Sequence, residues 1–357
     1  MAVILGINAF HSGASAALVV DGRPVAAVAE ERLNRVKYYA NFPALAIREC
    51  LRIAGLELSD VEAVAVGRDS AANLSRKLRF VLQNPSRLLN LARWQRRRTG
   101  LDDLRSLMAR ELDLDASRLH FRQFNVEHHL AHVASAYYCS PWERSAGFSA
   151  DGSGDFATCM FAECNGSRIE VSRRVYVPHS LGSLYTMVCE FIGYGEYGDE
   201  GKVMGLAPLG RDTYRERFLE MLRTTPEGIE LGADYFVPFG DGQGLTINER
   251  GEMKLRRHYS PRMTEQFGVP RERHGEIAQR DRDLACGLQR RFEDGYLHLL
   301  NLLHAAVPCE RVAMAGGCAL NGVANGKLFA GTPFTETWIQ PAAGDEGLSL
   351  GAALYVS

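Results

Sequence analysis

An α/β fold built twice, as two lobes facing each other across a cleft, is predicted by three features of this sequence. A strand, polar turn and strand hairpin opens the chain, and a second copy of that pattern begins near Gly147. The length of 357 residues also exceeds what one hydrophobic core usually serves.

The opening copy starts with the apolar strand Val3 to Ile7, which runs into the polar turn Asn8 to Ser15. A second strand, Ala16 to Val20, reaches the hairpin dipeptide Asp21-Gly22, and a third runs from Pro24 to Ala29. From Phe42 onward Ala44, Leu45, Ile47 and Leu51 recur at helical spacing, and Val61 to Val66 reads as a further strand. Between Arg76 and Arg110 arginine and leucine dominate. Arg93, Arg96, Arg97 and Arg98 could form an anion-binding patch, but the stripe Leu88, Leu89, Leu91 and Trp94 favours a solvated basic helix inserted in the first lobe.

In the second copy Phe148 to Ala150 leads to an acidic turn, Asp151 to Asp155. The strand Phe156 to Ala162, the hairpin Asn165-Gly166 and the strand Ile169 to Val175 follow. The lobes are therefore expected at 1–145 and 146–357, with the last helix closing the cleft. Two polar turns facing one another suit a nucleotide, and the duplicated arrangement points to the actin-like ATPase and sugar-kinase superfamily of RNase H-like lobes.

Composition narrows the function. With 46% apolar and 24% charged residues the chain reads as an ordinary globular protein, and a net charge of -2 gives no general attraction to nucleic acid or membrane. No apolar run reaches the roughly 18 residues of a membrane span, and no basic leader precedes the first strand, so a cytoplasmic protein is expected. The eight cysteines form no CxxC pair and read as reduced, mostly buried thiols.

The chemistry centres on His128 and His132. Four residues apart on a helix from Glu127 to Tyr138, their imidazoles share one face and can meet one cation, whereas His129 points elsewhere. Such pairs also occur as satisfied helix residues. Asp151 downstream would add a hard oxygen ligand, giving a mixed nitrogen and oxygen set suited to Fe(II), Mn or Zn. His11 in the first turn reads as a proton donor or anion contact, or as a histidine capping its loop. Asp345 stands at the entrance of the helix Leu348 to Leu354 as an N-cap or a further ligand, the cap being the simpler reading.

Two glycine-rich stretches read as ligand contacts. In Gly193 to Pro208 the backbone can approach a ligand, with Lys202 as a point charge for a phosphate. After the strand Arg311 to Ala315, the pair Gly316-Gly317 would let a base or ribose pack on bare backbone. The region 219–273, including an Asp241 to Gly244 turn, carries no chemistry that the residues name, and 283–306 is a long amphipathic helix.

Taken in order, FHSGASAALVVDG, AEERLNRVK, HHLAHVASA, DGSGD, SLGSLY, EGKVMGLAP, GGCALN and GDEGLSLGAAL strongly resemble the O-carbamoyltransferases of antibiotic and nodulation-factor biosynthesis, essentially from end to end. The catalytic part of that family is similar to the tRNA threonylcarbamoyl transferase. The resemblance implies a metal, usually iron, on His128, His132, Asp151 and Asp345. It implies the nucleotide of carbamoyl-adenylate against Glu200, Gly201, Lys202, Gly316, Gly317 and Asn321, with His11 and Lys37 near the carbamoyl group.

The activity implied is metal-dependent transfer of a carbamoyl group from carbamoyl-adenylate, made from carbamoyl phosphate and ATP, to a hydroxyl or amine of a small natural product. Family members usually continue into a domain similar to threonylcarbamoyl-AMP synthase, which this sequence lacks. A separate synthase-like partner, or a non-catalytic nucleotide-binding subunit, is the alternative expectation. A sugar-kinase-like phosphotransferase is disfavoured because the histidine pair has no task in magnesium-dependent phosphoryl transfer.

Overall fold

The computed structural model describes residues 1–84, 101, 103–237, 245–255 and 257–357. The arginine cluster at 93–98 with its apolar stripe, and the expected turn at 241–244, lie outside the described residues.

The first sheet holds β1 (Val3–Asn8), β2 (Ser15–Val20), β3 (Arg23–Ala29), β4 (Ala63–Val66) and β5 (Arg122–Asn125), in the order β3-β2-β1-β4-β5. The second begins with β6 (Arg144–Gly154), β7 (Ala157–Asn165) and β8 (Arg168–Tyr176). Two small hairpins follow, β9 (Leu222–Thr225) with β10 (Gly228–Leu231) and β11 (Leu245–Ile247) with β12 (Met253–Leu255). β13 (Arg311–Ala315) and β14 (Glu336–Ile339) complete the second sheet in the order β14-β13-β6-β7-β8. In each sheet the central strand pairs antiparallel with a hairpin on one side and parallel with a crossover strand on the other. The expected duplication is thus present as topology. Central strands covered on both faces must be apolar throughout, which is why β1 is fully buried and shows no alternation.

Two helices join the sheets. The helix His128–Tyr137 packs on β6, β7 and β13, although it precedes the second sheet in sequence. The C-terminal helix Leu348–Val356 lies against β1, β2 and β4 of the first sheet and crosses His128–Tyr137. The expected division at 145/146 falls inside β6, which begins at Arg144. Small residues permit this crossing: a Cβ on Gly351 would come within 1.8 Å of the Ala131 carbonyl oxygen, and one on Gly6 within 1.8 Å of the Ser349 carbonyl oxygen. Side chains there would drive the two sheets' helices apart.

Two local expectations are corrected. Asp151 to Asp155 is not a turn: β6 continues to Gly154, which pairs with Ala157, and the reversal falls on Asp155 and Phe156, with φ of 48° and 75°. Asp151 therefore projects from β6, where its pairing with β7 shifts register between Ala150 and Gly154. Part of the glycine-rich run is helical, Glu200–Leu206, because Val203 and Leu206 bury against the second core. Upstream, Glu30 is 3% exposed and its carboxylate accepts the Leu45 and Ala46 amides, capping the helix Ala44–Ala54. Six of the eight cysteines are buried and none is bridged. Among the described residues no helix is long and apolar enough to cross a membrane.

Candidate metal centre

The structure brings His128, His132, Asp151 and Asp345 together, with one donor atom from each lying within 4.8 Å of all the others. The histidines come from one face of the helix His128–Tyr137, Asp151 from β6, and Asp345 from the short helical turn Asp345–Gly347 after β14. His128 Nε2 is 3.3 Å from Asp151 Oδ2 and 3.6 Å from Asp345 Oδ1, and His132 Nε2 is 3.5 Å from each of these oxygens. These separations are long for hydrogen bonds. They suit donors gathered around a shared cation more than donors bonded to one another. His132 Nε2 and Asp345 Oδ1 are buried and without a hydrogen-bond partner, so the residues fit a cation.

Each carboxylate uses its second oxygen elsewhere. Asp151 Oδ1 accepts the Gly317 amide at 3.2 Å, and the Asp151 carbonyl accepts the Ser180 hydroxyl. Asp345 Oδ2 lies 2.7 Å from His11 Nδ1. The Asp345 carbonyl is held by Asn8 Nδ2 at 3.0 Å, and the same nitrogen reaches the Ser12 and Gly13 carbonyls. Asp345 caps nothing, since its helical turn starts from Gly344 without a side-chain cap, so the cap reading is overturned. Both carboxylates thus present one oxygen to the centre with the other fixed by protein, the arrangement that orients metal ligands.

Electrostatics follow from that packing. Burial disfavours charge on His132, but the Asp151 and Asp345 carboxylates beside it overcome this and push its pKa up to about 9. On His128 burial prevails and lowers the pKa. Burial alone would raise Asp151, yet the His128 and His132 imidazoles beside it hold it well below the usual carboxylate range. His129, as expected, turns away, its Nδ1 2.8 Å from Ser149 Oγ.

Of the other expected residues, His11 reaches the cluster and stands at its open side, 19% exposed against 4% for Asp345. Lys37 is exposed, its ammonium 5.1 Å above the Tyr38 ring. Glu200 Oε1 accepts the Thr186 hydroxyl at 2.8 Å, Gly201 faces open space, and the exposed Lys202 pairs with Asp199 at 2.7 Å. Asn321 is 8% exposed and exchanges hydrogen bonds with the Gln289 amide.

The paired glycines pack on a strand. A Cβ on Gly316 would meet the Ala150 carbonyl oxygen at 2.3 Å, and one on Gly317 would meet Asp151 Oδ1 at 2.7 Å. Their bare backbone admits β6 on this side. Cys318 on the same turn is buried, and burial, followed by the Asp151 charge, raises its thiol.

Sequence reasoning missed Asn8, Asp155 and Tyr197. The Tyr197 ring meets Tyr38 edge-on at 5.0 Å, and burial followed by the Asp345 and Asp151 charges raises its hydroxyl well above the usual value. Only its place in the glycine-rich run could have drawn attention to it.

The fold is mixed α/β with two five-stranded sheets. Component A of the (R)-2-hydroxyglutaryl-CoA dehydratase of Acidaminococcus fermentans has a similar structure. It is 14% identical with a TM-score of 0.51, and the match covers 99% of this chain and 97% of that one. An uncharacterised protein of Synechocystis sp. is 34% identical over all of this chain and 57% of its own length. The nodulation protein NolNO of Sinorhizobium fredii is 34% identical over 98% of this chain and 47% of its own length. The chain spans about half the length of these relatives. The family model described as carbamoyltransferase N-terminus matches residues 3–354, so the chain belongs to the carbamoyltransferase family.

Proposed function

We propose that this chain carries the transfer half of a carbamoyltransferase, moving a carbamoyl group from carbamoyl-adenylate to a hydroxyl or amine of a small natural product. One observation carries the reading beyond the family: Asp345 presents one oxygen to the cluster and the other to His11, so base and candidate metal centre share a carboxylate. His128, His132, Asp151 and Asp345 would hold a divalent cation, Fe(II) by resemblance and Mn or Zn by donor type, supplying Lewis-acid polarisation of the carbamoyl carbonyl or phosphate.

The protein's own groups account for the remaining steps. With Asp345 accepting from Nδ1, the His11 ring keeps the tautomer whose Nε2 is free to take a proton. The acceptor O–H gives that proton to Nε2, its oxygen bonds to the carbamoyl carbon, and the bond from that carbon to the phosphate oxygen breaks with its electron pair, releasing AMP. The nucleotide lies against Glu200, Gly201, Lys202 and Asn321, with Gly316 and Gly317 carrying the turn beside Asp151. Lys37, on the rim, contacts the donor's charged end.

The protein is expected to carbamoylate a hydroxyl-bearing acceptor when given carbamoyl-adenylate, or ATP and carbamoyl phosphate with a threonylcarbamoyl-AMP synthase-like partner. Mass spectrometry of the acceptor reads the result. Nucleotide binding with no product from any donor would favour the non-catalytic subunit instead. His11→Ala is expected to weaken metal binding by roughly 10- to 100-fold, since it frees Asp345 Oδ2, and to lower kcat about 100- to 10,000-fold even at saturating metal, measured by metal titration and turnover together. Turnover restored in full by excess metal would reassign His11 from base to ligand support.

A further inference from the structure

Asp155 belongs to no part of the mechanism above, yet it is 5% exposed and sits where three elements meet. Its Oδ2 accepts the His128 amide at 2.9 Å, the first amide of the helix that carries both histidines, and the Asp69 amide at 2.8 Å, from the segment after β4. Its carbonyl accepts Asn73 Nδ2 at 3.0 Å. That nitrogen also reaches Glu127 Oε1 at 2.9 Å, and Glu127 is clamped by Arg174 of β8 through bonds of 2.8 and 2.6 Å. Asp155 and Phe156 both take positive φ, a conformation uncommon for residues other than glycine, and it is this turn that brings the carboxylate back onto the helix start.

A helix N-terminus leaves its first amides without partners, and a buried one needs an acceptor. Here one oxygen serves the histidine helix and the first sheet at once. The buried Arg68 guanidinium, whose two Nη atoms have no hydrogen-bond partner, is pulled down by burial and back up by the Asp155 charge.

We propose that Asp155 is a positioning residue for the metal centre: by bonding the His128 and Asp69 amides it fixes the start of the histidine helix against the first sheet, and so sets where the His128 imidazole stands. This inference rests on the metal reading of the cluster. Groups that orient metal ligands without touching the cation change affinity by roughly 10- to 100-fold when removed.

The test is a titration of metal-free protein with Co(II), followed by visible absorption, on wild type, Asp155→Ala and Asp155→Asn, with a thermal melt of each metal-free protein. Asp155→Ala is expected to weaken Co(II) binding by roughly 10- to 100-fold and to change the absorption bands. Asp155→Asn, which keeps an acceptor oxygen, is expected to recover most of the affinity. Equal affinity and identical bands in wild type and Asp155→Ala would overturn the proposal while leaving the metal reading standing. Failure of wild type itself to bind Co(II) would remove both, and only that arm reports on the metal reading. If Asp155→Ala does not fold, Asp155→Glu, which keeps the charge but displaces the oxygen that accepts the His128 and Asp69 amides, takes its place, and unchanged Co(II) affinity with identical bands there overturns the proposal.

Discussion

Replacing His128 and His132 together with alanine is expected to leave a folded protein that binds no divalent cation and gives no detectable carbamoyl transfer. The loss should exceed the roughly 100-fold caused by removing a group that merely orients a ligand, because half of the donor set disappears. The variant also reverses the local electrostatics. In the metal-free protein the raised His132 pKa, about 9, means that its contribution to stability is complete below the unfolded histidine value of about 6.5 and is lost as pH rises toward 9. The melting temperature of metal-free wild type should therefore fall across that interval. In the double variant Asp151 loses both imidazole partners while Asp345 keeps His11, so desolvation and the nearby Asp345 charge raise the folded pKa of Asp151. Its stabilising effect is then present at low pH and lost as pH rises through the raised value, so the variant should melt higher near pH 5 than near pH 7. Melting curves of both proteins after chelation, with elemental analysis, measure this. A variant that retains cation at wild-type affinity would sink the assignment of the cluster.

The histidine pair was legible because a four-residue spacing has one meaning on a helix, and the flanking alanines of HHLAHVASA make that helix easy to recognise. The duplicated sheet was legible for a similar reason, since two hairpins at matching intervals are a local signal. Asp345 was not. Its place at a helix entrance makes a cap the natural inference, and only the long-range contact from Asn8 to the Asp345 carbonyl turns the carboxylate toward the histidines. The glycines were legible in part. Those at Gly316 and Gly317 announce a close approach, but the sequence does not name β6 as an approaching partner. Asp155 was visible as the end of an acidic run, and its task depends on a turn that begins four residues later than the sequence suggests.

Gly154→Ala is expected to damage the same centre without touching a ligand, and Gly152→Ala, two residues away on the same strand, to do almost nothing. A Cβ on Gly154 would stand 2.0 Å from His128 Cγ, 2.2 Å from Cδ2 and 2.5 Å from Nδ1, distances no contact of that kind tolerates. A Cβ on Gly152 would meet nothing within 4 Å. Relief at Gly154 requires either the imidazole or the strand to move. The strand end is held by pairing with Ala157 and by the Asp155 carboxylate on the His128 amide, whereas the ring is held by an edge-on contact with His132 at 4.7 Å and by Asp151. The ring is therefore the element that yields, and a shift of even 1 Å takes Nε2 out of reach of a cation at the centre. Overpacking of this kind costs about 1–3 kcal/mol of stability, which a chain with two large cores survives. Co(II) affinity should fall at least 100-fold in Gly154→Ala and stay within about twofold of wild type in Gly152→Ala. Equal affinities in the two variants would mean that the His128 ring does not define the centre, and that the backbone of β6 is free to move where its packing says it is fixed.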